Sequence, residues 1–289
     1  MRCGLCIPTL NAASAWPELW SGLERQSVQP SEVSILDSSS TDGTRILAKK
    51  SGCRVIKVPS AEFRHGGTRQ LAAELTPETD VLVYLTQDAI LADANALSAL
   101  LAAFSDDSVG ATYGRQLPRP LAKGIEAHAR LFNYPPQSAV RSLENVSSLG
   151  FRTIFFSNSF GAYRKAALNQ VGGFPRESNF GEDTVVAARL IQHGWRIAYA
   201  ADATVYHSHA LSLREEFRRY YAIGRLHSAE PWLLRDFGQV TGEGRSFVLS
   251  EMRYLARHAP WSIPEALLRS ALKGLAYTAG RNLRTRETP

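Results

Sequence analysis

Short apolar runs at 2–7, 33–37, 53–58 and 81–85 alternate with stretches whose apolar residues recur at helical spacing. Brief apolar runs bounded by polar and turn residues predict buried strands. Between the first two, Trp16, Leu19, Trp20 and Leu23 mark one helical face, with Pro17 tolerated in the first turn. Between the next two, Asp42 can cap a helix carrying Ile46 and Leu47, and Gly52 closes it. After the fourth run, Asp93 can cap a helix whose Leu97, Leu100, Leu101 and Phe104 fall at i, i+3, i+4 and i+7. Alternating strand and helix units predict an α/β fold, with a mixed, mainly parallel sheet and helices on both faces.

The middle of the chain is less regular. Residues 109–113 read as a strand, 115–150 as a long excursion over the strand ends containing Pro118, Pro120, Pro135 and Pro136, and 153–160 as another strand. A helix from Glu182 to Gly194 carries Val186 and Leu190, and 197–200 and 204–206 read as two short strands. From Leu211 onward the pattern is helical and basic, in segments 212–225, 245–257 and 264–283. The expected organisation is therefore a domain over 1–210 and a C-terminal helical extension over 211–289.

Charge adds a preference among partners. The chain of 289 residues carries 33 Lys and Arg against 27 Asp and Glu, a net +6. The excess includes Arg214, Arg218, Arg219 and Arg225. That bias suits diphosphates or phospholipid head groups and lacks any motif for nucleic acid. Cys3 and Cys6 have the spacing of a redox or zinc pair, yet residues three apart on a strand face opposite ways, so two small buried hydrophobes are expected. Three cysteines with no disulfide pattern suit a reducing compartment. Met1-Arg2 leads straight into strand residues and no run of about eighteen apolar residues occurs, which predicts a cytoplasmic protein.

The candidate chemistry lies where apolar runs end. Asp88, in Tyr84-Leu85-Thr86-Gln87-Asp88-Ala89, is a carboxylate just past a buried strand, where open α/β sheets place ligands. It is a hard oxygen ligand suited to Mg²⁺ or Mn²⁺. Pro8, lacking an N–H, is expected to stop the first strand before Asn11. Asp37 ends the second strand, with Asp42 and Gly43 building the following turn and Asp37 left for a ligand. In His65-Gly66-Gly67-Thr68-Arg69-Gln70, the glycines allow close backbone approach at a helix start and Arg69 can fork onto a diphosphate; an ordinary glycine turn with a solvated Arg fits equally. Asp183, in Phe180-Gly181-Glu182-Asp183, lies in a helix's first turn, where the dipole favours the ionised form; it suits a base or a simple capping acid. His207 and His209 share one face at a strand's end and could line one site.

Taken together, Pro8-Thr9-Leu10-Asn11, Ser40-Thr41-Asp42-Gly43-Thr44, Glu182-Asp183 and His207 resemble the inverting family-two glycosyltransferases of the GT-A fold, over about residues 3–210. A closer likeness, to bacterial rhamnosyltransferases of surface polysaccharide synthesis, rests on Phe63-Arg64-His65-Gly66-Gly67-Thr68-Arg69, Tyr84-Leu85-Thr86-Gln87-Asp88-Ala89, Tyr113-Gly114-Arg115-Gln116, Phe156-Ser157-Asn158-Ser159-Phe160 and Val205-Tyr206-His207-Ser208-His209. It continues through Glu216-Phe217-Arg218-Arg219-Tyr220. The resemblance implies that Pro8, Asn11 and Asp37 hold the nucleoside and that Gly67, Arg69, Gln87 and Asp88 lie at the donor. It implies that Asp88 binds Mg²⁺ or Mn²⁺ with His207, or with His209 as the alternate, and that Asp183 is the catalytic base. The implied donor is dTDP-β-L-rhamnose and the acceptor a saccharide, free or polyprenyl-linked. One departure stands out: Thr86 occupies the place of the first acid in the family's Asp-x-Asp motif.

Two other classes compete. A sugar-1-phosphate nucleotidyltransferase has a comparable glycine signature, but after its first strand, whereas Gly66-Gly67 follows the third. A non-catalytic nucleotide-sugar-binding protein would not need Asp183. No Gly-x-Gly-x-x-Gly follows the first strand, which argues against a nicotinamide dehydrogenase. Finally, Leu267, Leu268, Leu272 and Leu275 share a helical face with Arg269 and Lys273 near it. That face suits anionic lipid, the catalytic domain or another subunit.

Overall fold

The computed structural model describes residues 1–122, 124–208 and 210–282. In chain order the elements begin β1 (Cys3–Thr9), α1 (Trp16–Glu24), β2 (Glu32–Asp37), α2 (Thr44–Lys50), β3 (Arg54–Lys57), α3 (His65–Leu75), β4 (Val81–Leu85), β5 (Ile90–Leu91) and α4 (Ala96–Ala102). There follow β6 (Val109–Leu117), α5 (Ile125–Asn133), β7 (Ala139–Arg141), α6 (Val146–Leu149), β8 (Phe160–Arg164), α7 (Lys165–Gln170), α8 (Glu182–Gln192) and β9 (Arg196–Tyr206). Four helices close the described chain: α9 (Leu213–Ala229), α10 (Pro231–Phe237), α11 (Thr241–His258) and α12 (Ile263–Asn282).

The strands form one sheet in the order β3-β2-β1-β4-β8-β6-β9-β5, with β7 beside β9. β1 runs parallel to β2 and β4, and β2 parallel to β3. β8 is antiparallel to β4 and β6, and β9 to β5 and β7. This is the mixed α/β sheet expected from the alternation of strands and helices. All five residues of β4 are buried, which is why its sequence is continuously apolar rather than alternating. Strand order reverses between β1 and β4, and such a switch point leaves a crevice beyond the carboxyl ends of the strands.

Four local expectations need correction. β1 does not stop at Pro8 but continues to Thr9, with Pro8 opposite Leu36. Thr9 turns its carbonyl to β2, accepting from Ser38 N at 2.8 Å, so by alternation Pro8 turns its missing donor to the β4 side. There the β1–β4 pairing has already ended at Cys6 and Tyr84. Residues 153–160 are not one strand: Gly150–Ile154 is a 3₁₀ turn and β8 starts at Phe160. The intervening Phe155 and Phe156 pack their rings on Tyr113 instead. The two short strands at 197–206 are one, because Asp202 points outward between buried Ala201 and Ala203 and so keeps the alternation. Four helices, α5, α6, α7 and α10, arise where no helix was expected.

The chain divides into two compact units. One comprises Met1–Gln116, Pro135–Asn145 and Ile154–His207 and holds the sheet. The other comprises Leu117–Tyr134, Val146–Thr153 and Ser208–Pro289. In the second unit α9 opens with a capping box: Ser212 Oγ accepts from Glu215 N at 3.3 Å, and the Glu215 carboxylate accepts from Ser212 N at 2.8 Å. α9 and α12 approach backbone to backbone at Gly224 and Gly280, where a Cβ would fall 2.2 Å from the carbonyl oxygens of Tyr277 and Tyr221. Arg269 and Lys273 are largely withdrawn from solvent. Both turn onto buried Glu216, at 2.9 and 3.0 Å.

Cys3, Cys6 and Cys53 are free and buried. Burial pushes the Cys3 and Cys6 thiols up to about 12, so they are protonated hydrophobes. Among the described residues no helix is long and apolar enough to cross a membrane.

Candidate active site

The carboxyl ends of β1, β2 and β4 meet through side chains. Gln87 grips the backbone of Leu10 from both sides: Leu10 N donates to Oε1 at 2.8 Å, and Nε2 donates to the Leu10 carbonyl at 3.1 Å. Asn11 adopts a left-handed φ of 51°; its N–H donates to Ser40 Oγ at 2.9 Å and its Oδ1 accepts from Thr41 N at 2.9 Å. Asp37 is fully buried, accepting from Ser40 N at 3.0 Å with Arg45 Nε 3.6 Å away. Asn11, Asp37 and Gln87 thus tie the segments that follow β1, β2 and β4 together beside the switch point, with Pro8 near the end of the β1–β2 pairing. The polar atoms named here are already engaged in these ties.

Beyond β4, Thr86 N donates to the Ser159 carbonyl at 3.1 Å and its Oγ1 is buried with no hydrogen-bond partner. Asp88 Oδ1 lies 3.4 Å from His207 Nε2. The other ring nitrogen of His207 is 2.9 Å from Gln116 Oε1, and Gln116 Nε2 donates to Ser157 Oγ at 2.8 Å. The two ring nitrogens of His207 thus face an amide oxygen and the Asp88 carboxylate; if the proton rests on Nδ1, against Gln116, Nε2 is free to act as a ligand. A carboxylate beside an imidazole is a pair of ligand types that suits a divalent cation. Among the described residues no third His, Cys, Asp or Glu joins them, so remaining ligands would have to come from substrate or water. His209 lies outside the described residues.

The base candidate sits on the other side of the 158–159 segment. Gly181 takes φ 73° to start α8, and the first turn then carries two acids with opposite fates. Asp183 is half-buried, accepting from Asn158 N at 3.3 Å and Thr184 N at 2.8 Å. Glu182 turns into the interior, where its Oε1 meets Arg69 Nη1 at 3.1 Å and accepts from Asn158 Nδ2 at 3.0 Å. Tyr163 OH donates to Asn158 Oδ1 at 2.8 Å, and Tyr84 OH to the Arg69 carbonyl at 2.8 Å. Burial, then the Glu182 charge, raise the Asp183 carboxyl to about 6; Arg69 and the two N–H donors act the other way. The helix dipole does not keep this acid in the ordinary range, because desolvation outweighs it.

Arg69 and the glycines before it are therefore placed differently from the sequence expectation. Arg69 is only 5% exposed and spends its charge on Glu182. A Cβ on Gly66 would lie 1.9 Å from the Pro175 carbonyl oxygen and one on Gly67 2.8 Å from that of Arg176, so close protein backbone already requires both glycines. Glu182, Asn158 and Gln116 stand in the motifs that carry the resemblance but had no role assigned, and Tyr163 stands in none. One signal existed for Glu182: it stands three and four residues before buried Val185 and Val186, on the core face of α8.

The fold and this pair of acidic centres define a class. The sequence profile of Glycosyl transferase family 2 matches residues 5–172, and the chain belongs to that family. Its relatives include the O-antigen chain rhamnosyltransferase RfbN of Salmonella typhimurium, 44% identical over 98% of this chain and 90% of that protein. Another, the O-antigen chain rhamnosyltransferase WbaN of Salmonella anatum, is 45% identical over 96% of this chain and 89% of that protein. Among solved structures, the mannosyltransferase PcManGT of Pyrobaculum calidifontis, in complex with GDP-Man and Mn²⁺, superposes with a TM-score of 0.60 at 21% identity, over 95% of this chain and 75% of that one. Staphylococcus aureus TarS 1-349 superposes at 0.59 with 17% identity, over 97% and 90%. The GT-A fold expected from the motifs is the fold observed, and the chain is a glycosyltransferase.

Proposed function

We propose that this glycosyltransferase moves L-rhamnose from dTDP-β-L-rhamnose to a hydroxyl of a saccharide, free or polyprenyl-linked, in surface polysaccharide synthesis, inverting the anomeric centre. The choice of sugar follows the two Salmonella relatives. The transfer chemistry is carried by one observation: Asp183 is a half-buried carboxylate held by the Asn158 and Thr184 N–H groups and linked through the 158–159 segment to Thr86, just before Asp88. Asp183 takes the proton of the acceptor hydroxyl as its oxygen bonds to the anomeric carbon, while the bond from that carbon to the diphosphate breaks and its electron pair leaves with dTDP. Asp88 and His207 would hold Mg²⁺ or Mn²⁺. When bound there, the ion supplies positive charge against the developing charge of the leaving diphosphate. Pro8, Asn11, Asp37 and Gln87 are read as the nucleoside end of the site.

We place the protein at the cytoplasmic face of the membrane, in peripheral contact through the second unit. That unit holds 17 Lys and Arg against 9 Asp and Glu, a net +8, whereas the first holds 16 against 18, a net −2. The test of the catalytic reading is a donor panel scored by nucleoside diphosphate release, with and without chelator, on wild type and Asp183→Asn. Wild type should release dTDP from dTDP-rhamnose in preference to other donors. The variant should lose about 10²-fold or more of turnover while binding dTDP as wild type does. Near-wild-type turnover in Asp183→Asn would remove the base assignment.

A further inference from the structure

Glu182 and Asp183 are adjacent acids on one helix turn; Glu182 is buried and Asp183 is half-buried. The buried side is closed around Arg69. Its Nη1 lies 3.1 Å from Glu182 Oε1 and donates to the His65 carbonyl at 3.1 Å. Its side chain and that of Glu182 are 5% and 6% exposed, so the pair is close to neutral as seen from solvent. Asn158 is the link outward. Its side chain is pinned at both ends, donating to Glu182 and accepting from Tyr163, while its backbone N–H holds Asp183 Oδ2. A guanidinium committed this way has little charge to spend on a diphosphate.

We propose that Arg69 works from inside the protein as a positioning residue for the base: paired with Glu182, it fixes Asn158 and the first turn of α8, and so holds the Asp183 carboxylate in place. The inference rests on Asp183 being the base. The charged and titratable groups that bear on Asp183 are Glu182, Arg69 and Tyr163, with His65 beside Arg69. Glu182 raises the Asp183 carboxyl and Arg69 lowers it, so removing either charge should move the acid limb of the rate profile, in opposite directions. A residue that merely filled space would not give paired, opposite shifts. A donor ligand would give a loss of nucleotide affinity instead.

The experiment compares Arg69→Met, Glu182→Gln and Arg69→Lys with wild type, reading kcat/KM against pH and dTDP affinity by calorimetry. Arg69→Met should move the acid limb up by about one pH unit, and Glu182→Gln should move it down by a comparable amount. Arg69→Lys keeps the charge and the fold but not the fork. It should leave the limb in place, lower kcat about tenfold or more, and hold dTDP affinity within about threefold of wild type. If the two charge-removing variants fail to fold, Arg69→Lys decides alone. A tenfold or greater weakening of dTDP binding in Arg69→Lys, or limbs that coincide with wild type in folded Arg69→Met, would overturn the proposal. Turnover surviving in Asp183→Asn would instead remove the base, a separate and distinguishable outcome.

Discussion

At the scale of single residues, the site depends on what lies behind each visible acid. Asp183 was legible as an acid in a helix's first turn; its raised acidity was not, because that comes from burial and from Glu182. The sign follows from the direction of the shift. A carboxyl raised to about 6 is lost as a base when pH falls through about 6, whereas an ordinary aspartate would stay ionised down to about 4. The acid limb of kcat/KM should therefore lie near pH 6, and a limb near 4 would contradict the described burial. His207 was legible by its position at a strand end, but its orienting partner Gln116 was not, since 91 residues separate them. Gln116→Leu should leave the backbone in place and free the ring to turn. Mn²⁺ affinity, followed by electron paramagnetic resonance of the free ion, should fall about 10- to 100-fold. Unchanged Mn²⁺ affinity would show that Gln116 does not orient a metal ligand.

At the scale of elements, the strands of the parallel half could be read from their apolar runs because both faces of β1 and β4 are covered. What escaped detection was set by tertiary contacts. α5 lies in a Pro-containing stretch whose helical face is visible only once Ala127 and His128 are seen to be buried. The 153–160 run looked like a strand because Phe155 and Phe156 are apolar, but their rings are consumed by packing on Tyr113. The glycines of α12 offer a direct test of such contacts. Gly280 allows α9 to approach, and a Cβ there would meet the Tyr221 carbonyl at 2.2 Å. Gly274, on the same helix, has nothing within 4 Å of its would-be Cβ. Gly280→Ala should destabilise the second unit by about 1–3 kcal/mol through forced separation of the helices. Gly274→Ala should stabilise it by about 0.5–1 kcal/mol, because alanine is the better helix former. Thermal unfolding followed by circular dichroism distinguishes the two, and equal effects of the same sign would mean that α9 and α12 are not in close contact.

At the scale of the whole molecule, charge is partitioned between the two units. The net +6 of the chain conceals a first unit at −2 and a second at +8. The sequence showed the basic excess after residue 210, but not that Arg269 and Lys273 are withdrawn onto Glu216. On α12, Leu267, Leu268 and Leu275 are 51%, 57% and 68% exposed, and Trp261 before it is 78% exposed; Glu265 and Arg281 are exposed on the same helix. An exposed indole and leucines on a strongly basic unit match the surface of an anionic bilayer, where the ring partitions to the head-group level and cations meet phosphates. The protein should co-sediment with vesicles containing phosphatidylglycerol at low salt and much less with neutral phosphatidylcholine vesicles. Binding should weaken as ionic strength rises, because the attraction is screened within about 10 Å at 0.1 M salt. Trp261→Ser with Leu268→Ser should reduce binding without altering dTDP affinity, since both residues belong to the second unit. A second copy of the chain on the same face would give a different outcome: self-association lost in the double variant, with no response to lipid charge.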